Sequence, residues 1–209
     1  MRRDPDTLAR LAASDPVIGN LIERYGSPDG VLARRGRRPG DAYGALVRSI
    51  VGQQLSTRSA RAIFGRLVGL FDDHTPTPRQ LLETDPEKLR EVGLSRAKVA
   101  YLRDLAEHVE DGELDLERIA ELPDDDVAAR LTQIKGLGPW SVQMFLIFHL
   151  GRPDVLPVGD LGIRRAVQDQ YGLDDLPDAA ELERIAEPWR PNRSLASLYL
   201  WRSLDQTPV

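Results

Sequence analysis

The sequence predicts an all-α protein, two helical lobes with a cleft between them, on three observations. Apolar residues recur at helical spacing in almost every segment. Helix-start residues and glycine stops bracket those segments. No stretch alternates apolar and polar residues long enough, between turns, to make a strand. The 209 residues suffice for one large unit or two small lobes. We read a single unit over 1–209, with lobes at 42–150 and at 1–41 plus 151–209.

The elements follow in order. Asp15 caps a helix that starts at Pro16 and carries an apolar stripe of Val17, Ile18, Leu21, Ile22 and Tyr25 before Gly26. A loop over 27–40 holds Arg34, Arg35, Arg37 and Arg38, for which a solvated loop is a plainer reading than a DNA contact. A second apolar helix over 42–51 (Tyr43, Leu46, Val47, Ile50, Val51) breaks at Gly52-Gln53-Gln54-Leu55-Ser56. Ser56 or Thr57 then caps a helix running through Ala60, Ile63, Phe64, Leu67, Val68 and Phe71. After Thr75-Pro76-Thr77-Pro78, short helices are expected at 79–83 and 86–92, and a longer one at 95–110.

Leu131 and Ile134 share a face of a short helix predicted to stop at Gly136. Gly138 is expected to take the positive φ of a tight reversal, and Pro139 opens the next helix, apolar through Val142, Met144, Phe145, Leu146, Ile147, Phe148 and Leu150. Such a turn aims the amides of Gly136, Leu137 and Gly138 outward, where no Cβ blocks an anion at the two glycines. That is a helix-hairpin-helix suited to hold a phosphate. The stretch around Leu89, Gly93 and Leu94 is a weaker echo of it, although a plain glycine C-cap explains that stretch nearly as well. Further helices follow Asp160, span 178–187, and close the chain over 195–204 with Tyr199 and Trp201.

Composition narrows the chemistry. There are no cysteines, which excludes disulfides, a structural iron–sulfur cluster and thiolate zinc. His74, His108 and His149 lack metal-ligand spacing, so no metal held by side chains is expected. No apolar run reaches the roughly 18 residues of a membrane span, and MRRDPDTLARL lacks the apolar core of a signal peptide. We therefore expect a cytoplasmic protein, nucleoid-associated in a bacterium, without a membrane partner. A net charge of −5 argues against a surface coated in positive charge but leaves room for a local basic face. Lysine occurs only at 88, 98 and 135; the arginine excess suits phosphate recognition and equally reflects a GC-rich genome.

Asp160 lies 22 residues after Gly138, beside Val158, Gly159 and Leu161, where the next helix begins. Alone it reads as an ordinary N-cap. Together, the Gly-Leu-Gly hairpin, the Gly/Pro-rich turn and this aspartate resemble the HhH-GPD superfamily of base-excision DNA glycosylases, in particular its 3-methyladenine DNA glycosylase II (AlkA-like) branch. The resemblance runs from about Ala42 to Arg202. It includes 45–56 (wedge segment), Gly93-Leu94-Ser95-Arg96-Ala97-Lys98 (middle helices), 156–165 (catalytic turn) and 189–202 (C-terminal helix).

The resemblance implies a helix-hairpin-helix glycosylase fold in its short all-helical form, the family's long N-terminal sheet domain having no room here. It implies a monomeric enzyme that flips an alkylated purine out of double-stranded DNA. Asp160 would be the catalytic carboxylate. Trp140, Met144, Trp201 and Tyr43 would line the base pocket. Gly136, Leu137, Gly138 and Ser141 would grip the DNA backbone. Gln53, Gln54 and Leu55 would form the wedge that fills the vacated stack. Lyase-competent relatives carry a lysine two residues after the hairpin's second glycine, where this chain has Trp140, so no lyase activity is expected. Met144 and Asn192 stand where an aromatic is common, and Gln54 replaces a bulky apolar wedge residue. No cofactor is called for; the hairpin carbonyls are a candidate site for a monovalent cation. Two alternatives stay open: a glycosylase for oxidised purine, uracil or a mispaired base, and a non-catalytic hairpin protein that only binds DNA.

Overall fold

The computed structural model describes residues 4–27 and 41–204, and among them every regular element is helical. Arg34, Arg35, Arg37 and Arg38 lie outside the described residues. The chain divides into two compact units, Met1–Arg37 with Leu146–Val209, and Arg38–Phe145. The expected boundary at 150 thus falls earlier, after Phe145. No helix among the described residues is long and apolar enough to cross a membrane.

The central unit holds helices α3 (Ala42–Gly52), α4 (Thr57–Gly69), α5 (Pro78–Glu83), α6 (Pro86–Glu91), α7 (Arg96–Glu110) and α8 (Asp124–Leu131), and most of α9 (Pro139–Phe148). Their starts obey local chemistry. Asp41, Ser56, Thr77, Asp85 and Ser95 each accept an amide of the first turn, and Thr77 with Gln80 completes a capping box. Helix α7 is the spine, packing on α3, α5 and α6. Its Leu102 and Leu105, with Leu46, Ile50, Leu81 and Leu89 from those neighbours and Leu67 from α4, which packs on α3, are fully buried. Helix α4 ends at Gly69, so Phe71 joins the core from a turn rather than from the helix.

The terminal unit contains α1 (Pro5–Ser14), α2 (Pro16–Tyr25), α10 (Leu161–Tyr171), α11 (Ala179–Ile185) and α12 (Arg193–Ser203). Asp15 caps α2 through two amides and also accepts hydrogen bonds from Tyr171 Oη at 2.6 Å and Trp189 Nε1 at 2.9 Å. That buried carboxylate ties three separate segments together, so its oxygens are well satisfied for a group out of water. Helix α12 is buried from Ser194 to Arg202, its polar residues included, as befits a central helix.

Candidate functional site

The hairpin is built from α8, a turn, and α9. Helix α8 stops at Leu131, earlier than expected; Ile134 is buried from the turn instead. Positive φ, expected at Gly138, falls at Gly136 (83°). The two glycines also differ in space: a Cβ on Gly136 would lie 2.3 Å from the Tyr101 ring, whereas one on Gly138 would meet nothing within 4 Å. Gly136 is thus required by packing and Gly138 leaves an open surface. Pro139 opens α9, and the Gly138 carbonyl accepts the first helical amide, from Val142. Gly138 is therefore the cap residue, and it has no side chain with which to satisfy the first-turn amides.

The four expected backbone-gripping residues divide. Gly136 and Gly138 donate their amides to no partner among the described residues. The Leu137 amide does not point outward: it closes the turn onto Ile134 O at 3.0 Å, and its side chain is buried. Ser141 is buried too, its hydroxyl 3.5 Å from Gln53 Nε2, so only its first-turn amide suits a phosphate. Of the carbonyls considered for a cation, Gly136 O accepts Gln53 Nε2 at 2.6 Å.

Gln53 therefore faces the hairpin. Its carboxamide braces Gly136, which removes it from the wedge and leaves Gln54 and Leu55, both exposed, to project. Lys98 braces the same turn from below, donating to Val51 O and Gln53 O at 2.7 Å each. Asp104, on α7, holds the other side of the hairpin: it accepts the Lys135 amide at 2.8 Å and Lys135 Nζ at 2.7 Å. Burial alone would raise the Asp104 carboxyl, but those two hydrogen bonds and the lysine charge hold it below its ordinary value. The same bond raises Lys135. Tyr101, Lys98 and Asp104 were missed in the sequence because nothing in a helical stripe says which polar residue reaches a turn 30 or 40 positions away.

Asp160 does cap α10, accepting the Ile163 amide at 2.8 Å. The same oxygen, Oδ1, also accepts Trp201 Nε1 at 2.9 Å. The indole is stacked on Phe148 with centroids 5.6 Å apart. A Cβ on Gly162 would lie 3.0 Å from Asp160 Oδ1 and 3.4 Å from Trp201. Gly162, which lies in the 156–165 stretch but has no role of its own in the sequence reading, keeps that space clear. The preceding loop is clamped onto the start of α12. Arg193 meets both Asp154 carboxylate oxygens at 2.8 and 3.0 Å, and Ser194 Oγ accepts the Val155 amide. Two N–H donors on one oxygen fix the carboxylate's plane, a preorganisation useful where positive charge develops.

The four expected pocket residues are not alike. Trp140 is 45% exposed, an unusual degree for an indole. Met144 and Trp201 are each 6% exposed, and the Trp201 ring edge donates to Asp160. Tyr43 lines a separate cavity of about 590 Å³ with Pro78, Val109 and Leu114; Trp140 and Met144 are not among its lining residues. Burial, then the charges of Glu110 and Asp41, raises its phenol well above the ordinary range.

Comparison with known proteins accords with this geometry. The family described as HhH-GPD superfamily base excision DNA repair protein matches residues 47–191. YfjP of Bacillus subtilis (strain 168), provisionally named a DNA-3-methyladenine glycosylase, is 34% identical over 169 residues, 78% of this chain and 59% of its own length. DNA-3-methyladenine glycosylase 1 of Schizosaccharomyces pombe is 36% identical over 165 residues, covering 78% of this chain and 72% of that protein. The chain thus spans under two thirds of the first relative and more of the second. The solved structure of the fission-yeast 3-methyladenine DNA glycosylase Mag1, in complex with abasic DNA, superimposes with a TM-score of 0.85 at 31% identity, over 98% of this chain and all of that one.

Proposed function

Because the chain belongs to the HhH-GPD superfamily of base excision DNA repair proteins, we propose that it is a monofunctional DNA glycosylase acting on alkylated purines. Its substrates are bases of the 3-methyladenine and 7-methylguanine type in double-stranded DNA, bound by a monomer, and its product is an abasic site. The observation that carries the reading is the Asp160 carboxylate, fixed by Trp201 Nε1 as well as by the Ile163 amide. A plain N-cap needs no indole partner, nor a glycine two residues on to clear its approach.

A base inside a duplex is out of reach, so it must first be rotated out at a cost of roughly a few kcal/mol. The open amides of Gly136 and Gly138 hold the phosphate backbone through that step, and the exposed Trp140 indole offers a flat cationic purine a stacking surface. A purine alkylated at N3 or N7 already carries positive charge. The C1′–N bond therefore breaks with its electron pair passing to the base, without a general acid. The sugar passes through oxocarbenium character, which the ionised Asp160 stabilises. Water adds its oxygen to C1′ and gives its proton to Asp160, from which it passes to solvent. A lyase would need an amine at position 140. Trp140 supplies none, and Lys135 is paired with Asp104.

The test is base release from methylated duplex DNA by the wild type and by Asp160→Asn, with oxidised, uracil and mispaired substrates alongside. Asparagine caps a helix as well as aspartate does, so the variant keeps its fold. Release should fall by about three orders of magnitude, the scale of removing an electrostatic stabiliser, while duplex affinity holds or rises as a negative charge is lost. Undiminished release by Asp160→Asn, or none by the wild type, would sink the proposal. Borohydride should trap no covalent adduct on any of these duplexes; an adduct would show a lyase.

A further inference from the structure

The turn between α3 and α4 holds a conformation its sequence does not favour. The Leu55 amide bonds to Gly52 O at 3.2 Å, closing a four-residue turn over Gly52, Gln53, Gln54 and Leu55. Gln53 has φ −54° and ψ 134°, and Gln54 has φ 57°. That is the pattern of a type II turn, whose third position calls for glycine. A glutamine there is strained by its Cβ. Rotating the peptide between Gln53 and Gln54 would relax it to the commoner type I turn, with Gln54 back at negative φ. The atom that swings in that rotation is the Gln53 carbonyl oxygen, and Lys98 Nζ donates to it at 2.7 Å while also donating to Val51 O. The carboxamide of Gln53 meanwhile donates to Gly136 O, in the hairpin.

We propose that Lys98 is a positioning residue that locks the Gln53–Gln54 peptide in its type II orientation. By doing so it holds Gln54 and Leu55 outward, and through Gln53 it fixes them in register with the hairpin. The ammonium supplies the stabilisation that glycine would have made unnecessary, and the result is a projecting side chain where a glycine turn would have none. Stack filling and backbone gripping are then set by one hydrogen-bonded chain, Lys98 to Gln53 to Gly136, instead of by two independently moving loops. This rests on the glycosylase reading only for the role of Gln54 and Leu55 at a vacated stack.

Binding to a duplex with a tetrahydrofuran abasic site, which needs no chemistry, gives the test. Affinity is compared with that for the undamaged duplex, with 2-aminopurine opposite the abasic site reporting stack filling. Wild type should prefer the abasic duplex. Lys98→Met should lose about tenfold of that preference, the scale of releasing one strained backbone conformation. It should also lose the 2-aminopurine response, with undamaged-duplex affinity changed by less than about twofold. Adding Gln54→Asn, which tolerates positive φ and keeps a carboxamide, should restore part of the preference; adding Gln54→Gly should restore stability alone.

Equal losses on both duplexes would make Lys98 a phosphate contact and overturn the proposal. So would an unchanged Lys98→Met, a wild type without abasic preference, or a Lys98→Met chain that unfolds even with Gln54→Asn. A wild type that prefers abasic DNA but releases no methylated base would sink the glycosylase reading and leave the Lys98 lock standing.

Discussion

The Gly93 and Gly136 turns each join a shorter helix to a longer one through a glycine at positive φ, 103° and 83° respectively. Both are followed by a buried leucine, Leu94 and Leu137. Past that point they diverge. After Gly93 the chain caps α7 with Ser95, whose hydroxyl takes the Lys98 amide, and Arg66 Nε closes the turn on Val92 O at 2.8 Å. After Gly136 the cap is Gly138, which has no side chain, and the Gly136 and Gly138 amides meet no partner among the described residues. One turn satisfies itself and the other is held from behind by Asp104, Tyr101 and Gln53 so that its front remains unsatisfied. The echo in the sequence is thus a structural relative of the hairpin without its binding face.

The comparison breaks most sharply at the glycines themselves. Gly136→Ala places a methyl 2.3 Å from the Tyr101 ring and 2.5 Å from the ring's root, so the whole side chain must move. Gly93→Ala meets first the far end of Arg66 at 2.9 Å, which can swing away, and then Ile63 at 3.2 Å. Both carry the positive-φ penalty. We expect a loss of about 3 kcal/mol or more for Gly136→Ala and about 1–2 for Gly93→Ala, the difference being steric overlap. Urea denaturation of the two variants reads this. Equal losses would mean that the second turn is no more rigidly backed than the first.

The next effect belongs to Asp104, which has no counterpart behind the Gly93 turn. Asp104→Asn should cost about 2 kcal/mol at neutral pH, chiefly through the buried bond to the Lys135 amide, since the ammonium end is exposed. The sign with pH follows from the shifts. Asp104 lies below its ordinary 3.8 in the fold, so its contribution is complete above that value and is lost as pH falls through the lower folded one. Lys135 lies above its ordinary 10.5, so its share is complete below that value and fades as pH rises beyond it. The wild type should therefore be more acid-sensitive below pH 3.8 than Asp104→Asn, measured by thermal melts across pH. Parallel melting curves would remove Asp104 from the hairpin's support.

How much of this could be read from sequence divides along the same line. Caps, glycine stops and apolar stripes are local, so the helices of both turns, and Asp160 at the head of α10, are legible from neighbours a few residues apart. Which glycine takes positive φ was not legible. Gly136 and Gly138 look alike locally, and what marks Gly136 as obligatory is Tyr101, 35 residues earlier on another helix, which occupies the space a Cβ would need. Gln53 and Trp201 show the same limit. Both stand in stretches the family resemblance marks, yet Gln53 turns inward to the hairpin and Trp201 gives its N–H to Asp160, because long-range partners decide where a polar group points.

The smallest effect exchanges the two caps. Ser95→Ala removes the bond to the Lys98 amide and should cost about 1 kcal/mol of stability, the usual worth of a serine cap, without changing DNA affinity. Gly138→Ser does the reverse. The position is open on the side a Cβ would occupy and does not require positive φ. A hydroxyl there can take a first-turn amide of α9 as Ser95 does for α7, so stability should hold or rise by a few tenths of a kcal/mol. Duplex affinity should fall by about tenfold, as an amide meant for phosphate is now satisfied from within and the oxygen faces the anion. Equilibrium binding at fixed salt, paired with denaturation, separates the two outcomes. If Gly138→Ser binds DNA as the wild type does, the first-turn amides of α9 do not contribute to the grip, which then rests on the Gly136 and Gly138 amides alone.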